Sequence, residues 1–236
     1  MHVFVTAFQF VTDNGQIPGI AGQPTLAHLT LETLKVAAIG MAIALVVAIP
    51  LGVWLGHIHR FSFLAINVGN IWRALPSLAV LAIGAAFLGI GLTNVELALI
   101  VLAIPPMITN AYVAVDGVDR EIVDAAQGMG LTGWQVLRQV ELPMAIPLIF
   151  AGIRTAALFV ISTTTIASLT GYSGTLGDII NNEASYHLSG VIGAAYCIAA
   201  LALGTELILA GVQRLVTPRG LVLAGRASLE LQTSVA

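Results

Sequence analysis

Charge is what this sequence has least of. Asp, Glu, Lys and Arg make up 9% of its 236 residues, against 58% hydrophobic types. A soluble domain carries about 25% charged residues, so a surface built from this chain could not be hydrated, and water-soluble classes are excluded. Lysine occurs once, as Lys35, with no glycine loop before it. A phosphate-cradling G-x-x-x-x-G-K-[ST] loop is therefore absent, and the chain is expected to bind no nucleotide, cofactor or metal. Cysteine also occurs once, as Cys197 inside an apolar run, so no disulfide can form within the chain. Met1 to Val11 lacks the basic start of a cleavable signal peptide. Phe4, Phe8 and Val11 share one helical face there, compatible with a short interfacial helix or with an unstructured terminus.

What is present is a series of helix-length apolar runs. About 20 apolar residues cross a bilayer as a helix. Val36 to Gly56, Ala74 to Val95 and Leu97 to Val115 stand out first. Met144 to Thr170 is interrupted only by Arg154, and Leu188 to Gln213 only by Glu206. Uniform apolarity excludes a membrane barrel, whose strands alternate over short segments. The sequence thus predicts an all-α, polytopic membrane protein of five transmembrane helices, with spans two and three joined tightly through "GIGLTN". Basic residues favour the cytoplasmic side. Arg60, Arg120, Arg138, Arg214, Arg219 and Arg226 follow the first, third and fifth spans, whereas the opposite loops carry only Asp13, Asp178 and Glu183. The amino terminus is expected outside and the carboxyl terminus inside. The expected division is an extracytoplasmic segment 1–25, a membrane domain 26–216 with a cytoplasmic loop 117–143, and a cytoplasmic tail 217–236.

Within that loop Gly128, Gly130 and Gly133 spell G-x-G-x-x-G, the fingerprint of a dinucleotide-binding turn. The fingerprint requires a preceding buried strand and further parallel strands. Here a membrane helix precedes it and another follows, so the cofactor reading fails. Asp119 can cap a short amphipathic helix with Ile122, Val123 and Ala126 on one side, and Gly128 and Gly130 suit a left-handed turn that ends it. Thr132 and Gln135 form a capping box for a second helix, which carries Trp134 and Leu137 on one side and halts before Pro143. Such a unit buries little of itself alone and implies a docking partner.

Asp124-Ala125-Ala126, three residues, Gly130, nine residues, then Val140-Glu141-Leu142-Pro143 resembles the EAA loop of the membrane subunits of binding-protein-dependent ABC importers. The family pattern is E-A-A, three residues, G, nine residues, I-x-L-P. This chain has Asp for the first Glu and Val for the Ile, with every spacing kept. The resemblance implies a coupling helix that docks on a separate ATP-binding subunit, where ATP and Mg²⁺ are bound. Asp124 would pair with a basic residue there, Ala125 and Ala126 would fit a groove, Gly130 would turn, and Leu142 and Pro143 would close the motif. It also implies a second permease subunit, identical or paralogous, an extracytoplasmic solute-binding protein, a bacterial cell membrane and no nucleic-acid partner. "RALPSLAVL" from Arg73, the stretch Ala103 to Ala156 and "QRLVTPRG" are similar to the osmoprotectant branch, which imports glycine betaine, choline or carnitine. An amino-acid importer of the methionine type shares the same five-span core. The family's G-x-G-G-L-G is replaced here by "YSGTLGD", which changes detail at the outer end.

Other chemistries fit less well. Gly171-Tyr172-Ser173-Gly174 has the G-x-S-G of intramembrane serine proteases, but the only later histidine, His187, lies in an outer loop. His57 and His59 are two apart and point to different helix faces, which argues against a shared metal. Polar groups inside a bilayer are candidates for function. Arg154 and Glu206 lie at similar depths, roughly two turns or more from the same side, and are expected to pair. Glu32 and Lys35, three apart, can satisfy each other. Arg73 either snorkels to the surface or faces the interior beside Pro76. The expected pathway lining is Pro76 and Ser77, Pro105 and Pro106 as a broken helix with Asn110 one turn on, and Thr163 and Thr164. Those hydroxyls belong to a run, Ser162 to Ser168, that can instead bond back to its own helix.

Overall fold

The computed structural model describes residues 2–15, 24–59, 63, 67, 69, 72 and 74–218. Arg60, Arg73, Arg219, Arg226 and the tail beyond residue 218 lie outside the described residues. Among those described, all regular structure is helical: α1 His2–Thr12, α2 Leu26–His57, α3 Ser77–Leu88, α4 Leu92–Asp116, α5 Arg120–Gly128, α6 Gly133–Val136, α7 Leu142–Ile166, α8 Gly177–Asn181 and α9 Glu183–Val216. A π-helical turn, Leu137–Glu141, joins α6 to α7, and a 3₁₀ turn, Ala167–Thr170, follows α7. Among the described residues four stretches are long and apolar enough to cross a bilayer: α2, α4, the continuous path Gly133–Thr170, and α9.

The α2–α4 pair forms the centre of the bundle. Along α2, Gly40, Ala44, Ala48, Gly52 and Gly56 recur every fourth residue and are all buried. The matching face of α4 carries Leu99, Ala103, Met107, Ala111 and Val115, also buried. Lipid is as apolar as a leucine side chain, so burial alone gives such helices no reason to associate. Close backbone approach does, through dispersion contacts. At Gly52 the approach is closest: a Cβ there would stand 2.7 Å from Ala111 Cβ and 2.8 Å from the Ile108 carbonyl oxygen. Helix α7 packs on the other side of α4, and α9 packs on α7.

The second span is shorter than Ala74 to Val95. Helix α3 has twelve residues, about 18 Å at 1.5 Å per residue. Pro76, with ψ 124°, starts it from an extended conformation, and Gly89 at φ +81° ends it. Phe63, Asn67, Gly69 and Trp72, upstream of Pro76, are also helical. The first span is longer than expected, because Thr25 caps it well upstream by accepting the His28 N–H at 3.3 Å. Glu32 and Lys35 pair near this end at 3.4 Å. Prolines 105 and 106 do not break α4, which continues from Leu92 to Asp116 with both inside it. Flanking helices α2 and α7 hold the chain helical there, and membrane helices tolerate the bonds that proline removes. The amino-terminal segment is the helix α1. Ala7 and Phe10 are buried against α9, with Phe10 edge-on to Tyr186 at 6.4 Å, while Phe4 and Phe8 face outward.

The loop between α4 and α7 contains no strand, so the three glycines belong to helices and turns. Asp119 caps α5 by accepting the Glu121 N–H at 2.9 Å. Only Gly130 is left-handed, at φ +89°; Gly128 is the last helical residue. Gly130 N–H donates to Gln127 O and Leu131 N–H to Ala126 O, the pairing that closes a helix on a left-handed residue. Gln135 Oε1 accepts the Thr132 N–H at 2.8 Å and starts α6. The second helix does not halt before Pro143. It widens into the π turn and continues as α7, because a proline at the second position of α7 has no N–H to donate and the wider turn makes room for its ring. Nor is the loop without a core, since Val118, Val123, Ala126 and Val136 cluster with Leu131, Val140 and Met144.

Two stability outcomes follow, each read as a thermal midpoint in detergent. G52A forces α2 from α4 and lowers stability by about 1–3 kcal/mol, the usual cost of overpacking, whereas G204A on α9, where a Cβ meets open space, is neutral or stabilising. In the loop, G130A destabilises by roughly 1 kcal/mol or more because alanine disfavours the left-handed region, while G128A, in helical geometry, gains about 0.5–1 kcal/mol.

Candidate functional site

The residues of the Asp124 to Pro143 motif divide between two faces. Asp124 and Ala125 are exposed on α5. Val123, at 9% exposed, and Ala126, at 2%, face inward to the loop's small core. Ala126 packs inward with Val123 and Val136, and Ala125 is the alanine left on the outer face. Ile122, expected on the buried side, is largely exposed, as are Met129 and Trp134. Leu137 is buried while Trp134, three residues earlier, is not, so the two do not form one exposed face. Leu142 and Pro143 are half-buried where the loop enters α7. Trp134 and Trp54 line an apolar groove with Leu51, Leu137 and Leu142, and two tryptophans at a helix end suit a bilayer interface.

Sequence reasoning missed the residue that roots this loop. Glu141, the variable position of the I-x-L-P pattern, is 1% exposed and accepts a hydrogen bond from His57 Nδ1 at 2.7 Å. His59 Nδ1 makes the same contact with Asp116 Oδ1, also 2.7 Å. The two histidines do point apart, each to its own carboxylate. The available signal was a lone acidic residue within the apolar run around Leu142, which must find a partner once buried.

The expected pathway residues do not converge on one open channel. Pro105 and Pro106 are buried between helices, and Asn110 Nδ2 donates back to the Pro106 carbonyl at 2.7 Å. Gly152 of α7 lies against Asn110 Cβ and the Pro106 carbonyl, closing that space. Thr163 and Thr164 are buried within the protomer, and the Thr164 hydroxyl donates to Val160 O at 2.8 Å. Ser77 and Pro106 meet at a small cavity of about 70 Å³ with Trp72, Leu102 and Phe159; Trp72 Nε1 is buried with no hydrogen-bond partner among the described residues. Pro76 is exposed beside it.

Arg154 of α7 and Glu206 of α9 stand 3.3 Å apart, Nη1 to Oε1. An isolated charge at a span's centre costs about 3 kcal/mol on insertion scales, and this contact gives each ion a counter-ion while joining two helices. At the opposite end of the bundle from α5, the segment 171–182 folds back onto α2. Leu176 N–H donates to Thr33 Oγ1 at 3.0 Å, and the Thr33 hydroxyl donates to Leu29 O at 2.7 Å. Asp178 in this segment has its carboxyl pushed up by burial, opposed by N–H groups of Gly174 and Thr175. Ser173 is exposed and His187 lies at φ +56° at the kinked start of α9. No hydrogen bond joins the two among the described residues, and the protease reading finds no support.

Comparison with known proteins identifies this architecture. Residues 48–220 match the family of binding-protein-dependent transport system inner membrane components. The chain is 38% identical over 197 residues to the glycine betaine/carnitine/choline transport system permease protein OpuCB of Bacillus subtilis (strain 168), covering 83% of this chain and 90% of that one. It is 33% identical over 222 residues to the carnitine transport permease protein OpuCB of Listeria monocytogenes, covering 94% and 96%. Among solved structures, the MetNI methionine ABC transporter in inward-facing conformations shares the fold, with TM-score 0.70 and 22% identity over 82% of this chain and 96% of that chain. An amino acid ABC transporter with histidines does likewise, with TM-score 0.64 and 18% identity over 89% and 97%. These relatives are named as transport permeases and not as enzymes. The family implies an ATPase partner and, in general, a second permease or a substrate-binding partner. The chain belongs to the binding-protein-dependent transport system inner membrane components: it is a multi-pass membrane permease subunit of an ABC importer, with the type I permease fold.

Proposed function

We propose that this permease forms, with a second copy or a paralogue, the translocation path for a small quaternary-amine osmoprotectant such as glycine betaine, choline or carnitine. The substrate class rests on the relatives, whose printed names carry these solutes. Selection among them belongs mainly to a separate binding protein, where an aromatic cage can hold the cation. The amino terminus lies outside and the carboxyl terminus inside. Five crossings result, the second made by α3 with the helical segment before Pro76. ATP and Mg²⁺ bind in the partner ATPase.

One observation carries the coupling role: α5 holds Asp124 and Ala125 outward while Val123 and Ala126 lock its other face to the bundle. A short helix so anchored moves as one piece with the root of α7. Docked on an ATPase subunit, with Asp124 beside a basic residue, it transmits closure of the ATPase pair. ATP binding then opens the path outward toward the binding protein, and hydrolysis resets it inward.

Gentle purification tests the docking. An ATP-binding subunit is expected at equal stoichiometry, and D124R is expected to lose it and abolish uptake with the thermal midpoint of the isolated chain unchanged. Retained ATPase and normal uptake in D124R rule the docking role out. Cells lacking their own osmoprotectant importers, given this permease with its partner ATPase and binding protein, are expected to accumulate radiolabelled glycine betaine, choline or carnitine and not methionine. Methionine uptake alone would move the substrate to the amino-acid class.

A further inference from the structure

The two histidine contacts sit at the two roots of the coupling loop. Asp116 is the last residue of α4, four positions before α5 begins, and Glu141 is the last residue before α7. Their partners, His59 and His57, are two residues apart at one end of α2. One helix end therefore grips the loop where it leaves the bundle and where it returns. Three features show that the grip is built tightly. Glu141 is 1% exposed, so a shift away from His57 would leave a buried carboxylate without its partner. The other ring nitrogen of His57, Nε2, lies beside Gly133 at the start of α6, so the ring sits between the two ends of the loop's second helix. His59 adopts φ +49°, a conformation uncommon outside glycine though histidine is among the side chains that tolerate it, and its ring meets Asp116.

The far end of α2 is fastened as well. Thr33, fully buried, accepts the Leu176 N–H of the segment 171–182. Between the two attachments α2 runs as one helix from Thr33 to His57, about 36 Å at 1.5 Å per residue. Its stripe of glycine and alanine lies close against α4 along most of that length. We propose that His57 and His59 fasten α2 to both roots of the coupling loop, making α2 the rod that carries the loop's movement to the outer segment 171–182. Both histidines are positioning residues. The inference rests on the coupling role proposed for the loop.

Two probes in one complex test it. In the permease–ATPase complex carrying C197S, a solvatochromic thiol label is placed at Q127C on α5 or at S173C in the outer segment, both exposed positions. Spectra are compared before and after trapping with ATP and vanadate. Both labels are expected to respond in the parent. H59D, which sets two carboxylates against each other, is expected to keep the Gln127 response and lose most of the Ser173 response, and the exchange H59D/D116H is expected to restore it. H57F/E141L removes both partners of the buried pair without leaving an unpaired charge, so it keeps the fold and shows the same split. An unchanged Ser173 response in H59D and H57F/E141L overturns the proposal. Loss of both responses together overturns it too, because the histidines then only hold the loop's shape. No Gln127 response in the parent would instead mean that the loop does not couple, and the rod falls with that reading.

Discussion

Everything in this bundle is referred to the contact between α2 and α4, and that contact depends on having almost no side chain. In water, two helices associate by removing apolar surface from solvent. In lipid that gain vanishes, and association needs backbones near enough for many weak contacts to act together. The tetrad repeat of glycine and alanine on α2 supplies this, and the larger residues of α4 fill the other half of the seam. Gly52 against Ala111 and Gly56 against the Tyr112 carbonyl fix the two helices in axial register near one end. It is at this end that His57 and His59 must reach Glu141 and Asp116. The seam therefore sets the geometry on which both histidine contacts depend.

The loop between α4 and α7 shows how a short segment becomes a rigid body. Its own apolar residues are too few for an independent domain, yet Val123, Ala126 and Val136 cover one another and Met144 of α7 joins them. The π turn at Leu137–Glu141 lets the helix pass Pro143 without ending. It also rotates Glu141 inward to His57. A loop held this way keeps its outward residues, Asp124 and Ala125, in a defined position relative to the membrane helices, which is what a mechanical contact requires.

Much of this was legible in the sequence, and what was missed has physical causes. Apolar runs, helix caps at Asp119 and Thr132 and the Arg154–Glu206 neighbourhood each follow from local composition or spacing. The failures concern contacts between distant segments. Nothing near Gly52 in the sequence reveals that Ala111 will stand against it, although the four-residue repeat of small residues was present to be counted. Ala126 was assigned outward because the family motif was read as a surface, whereas its neighbour Val136 claims it. Glu141 looked like filler at a variable position. Pro105 and Pro106 suggested a broken helix because propensity was weighed without the two helices that enclose α4.

The polar groups within the protomer bear on where a solute can pass. Thr164 and Asn110 bond back to their own helices, and Arg154 and Glu206 meet each other. Gly152 lets α7 close over Asn110. Among the described residues few hydrogen-bonding groups are directed at a passage inside the single chain, and the cavity beside Ser77 and Trp72 is small. Meanwhile α3 presents Ile83 and Phe87, at 60% and 86% exposed, next to the exposed Pro76. On the proposed function, a path of useful width would lie between two permeases, with α3 and the residues around Pro76 facing the shared space. That division suits the proposed mechanism, in which most of the opening would come from moving one closely packed bundle against the other.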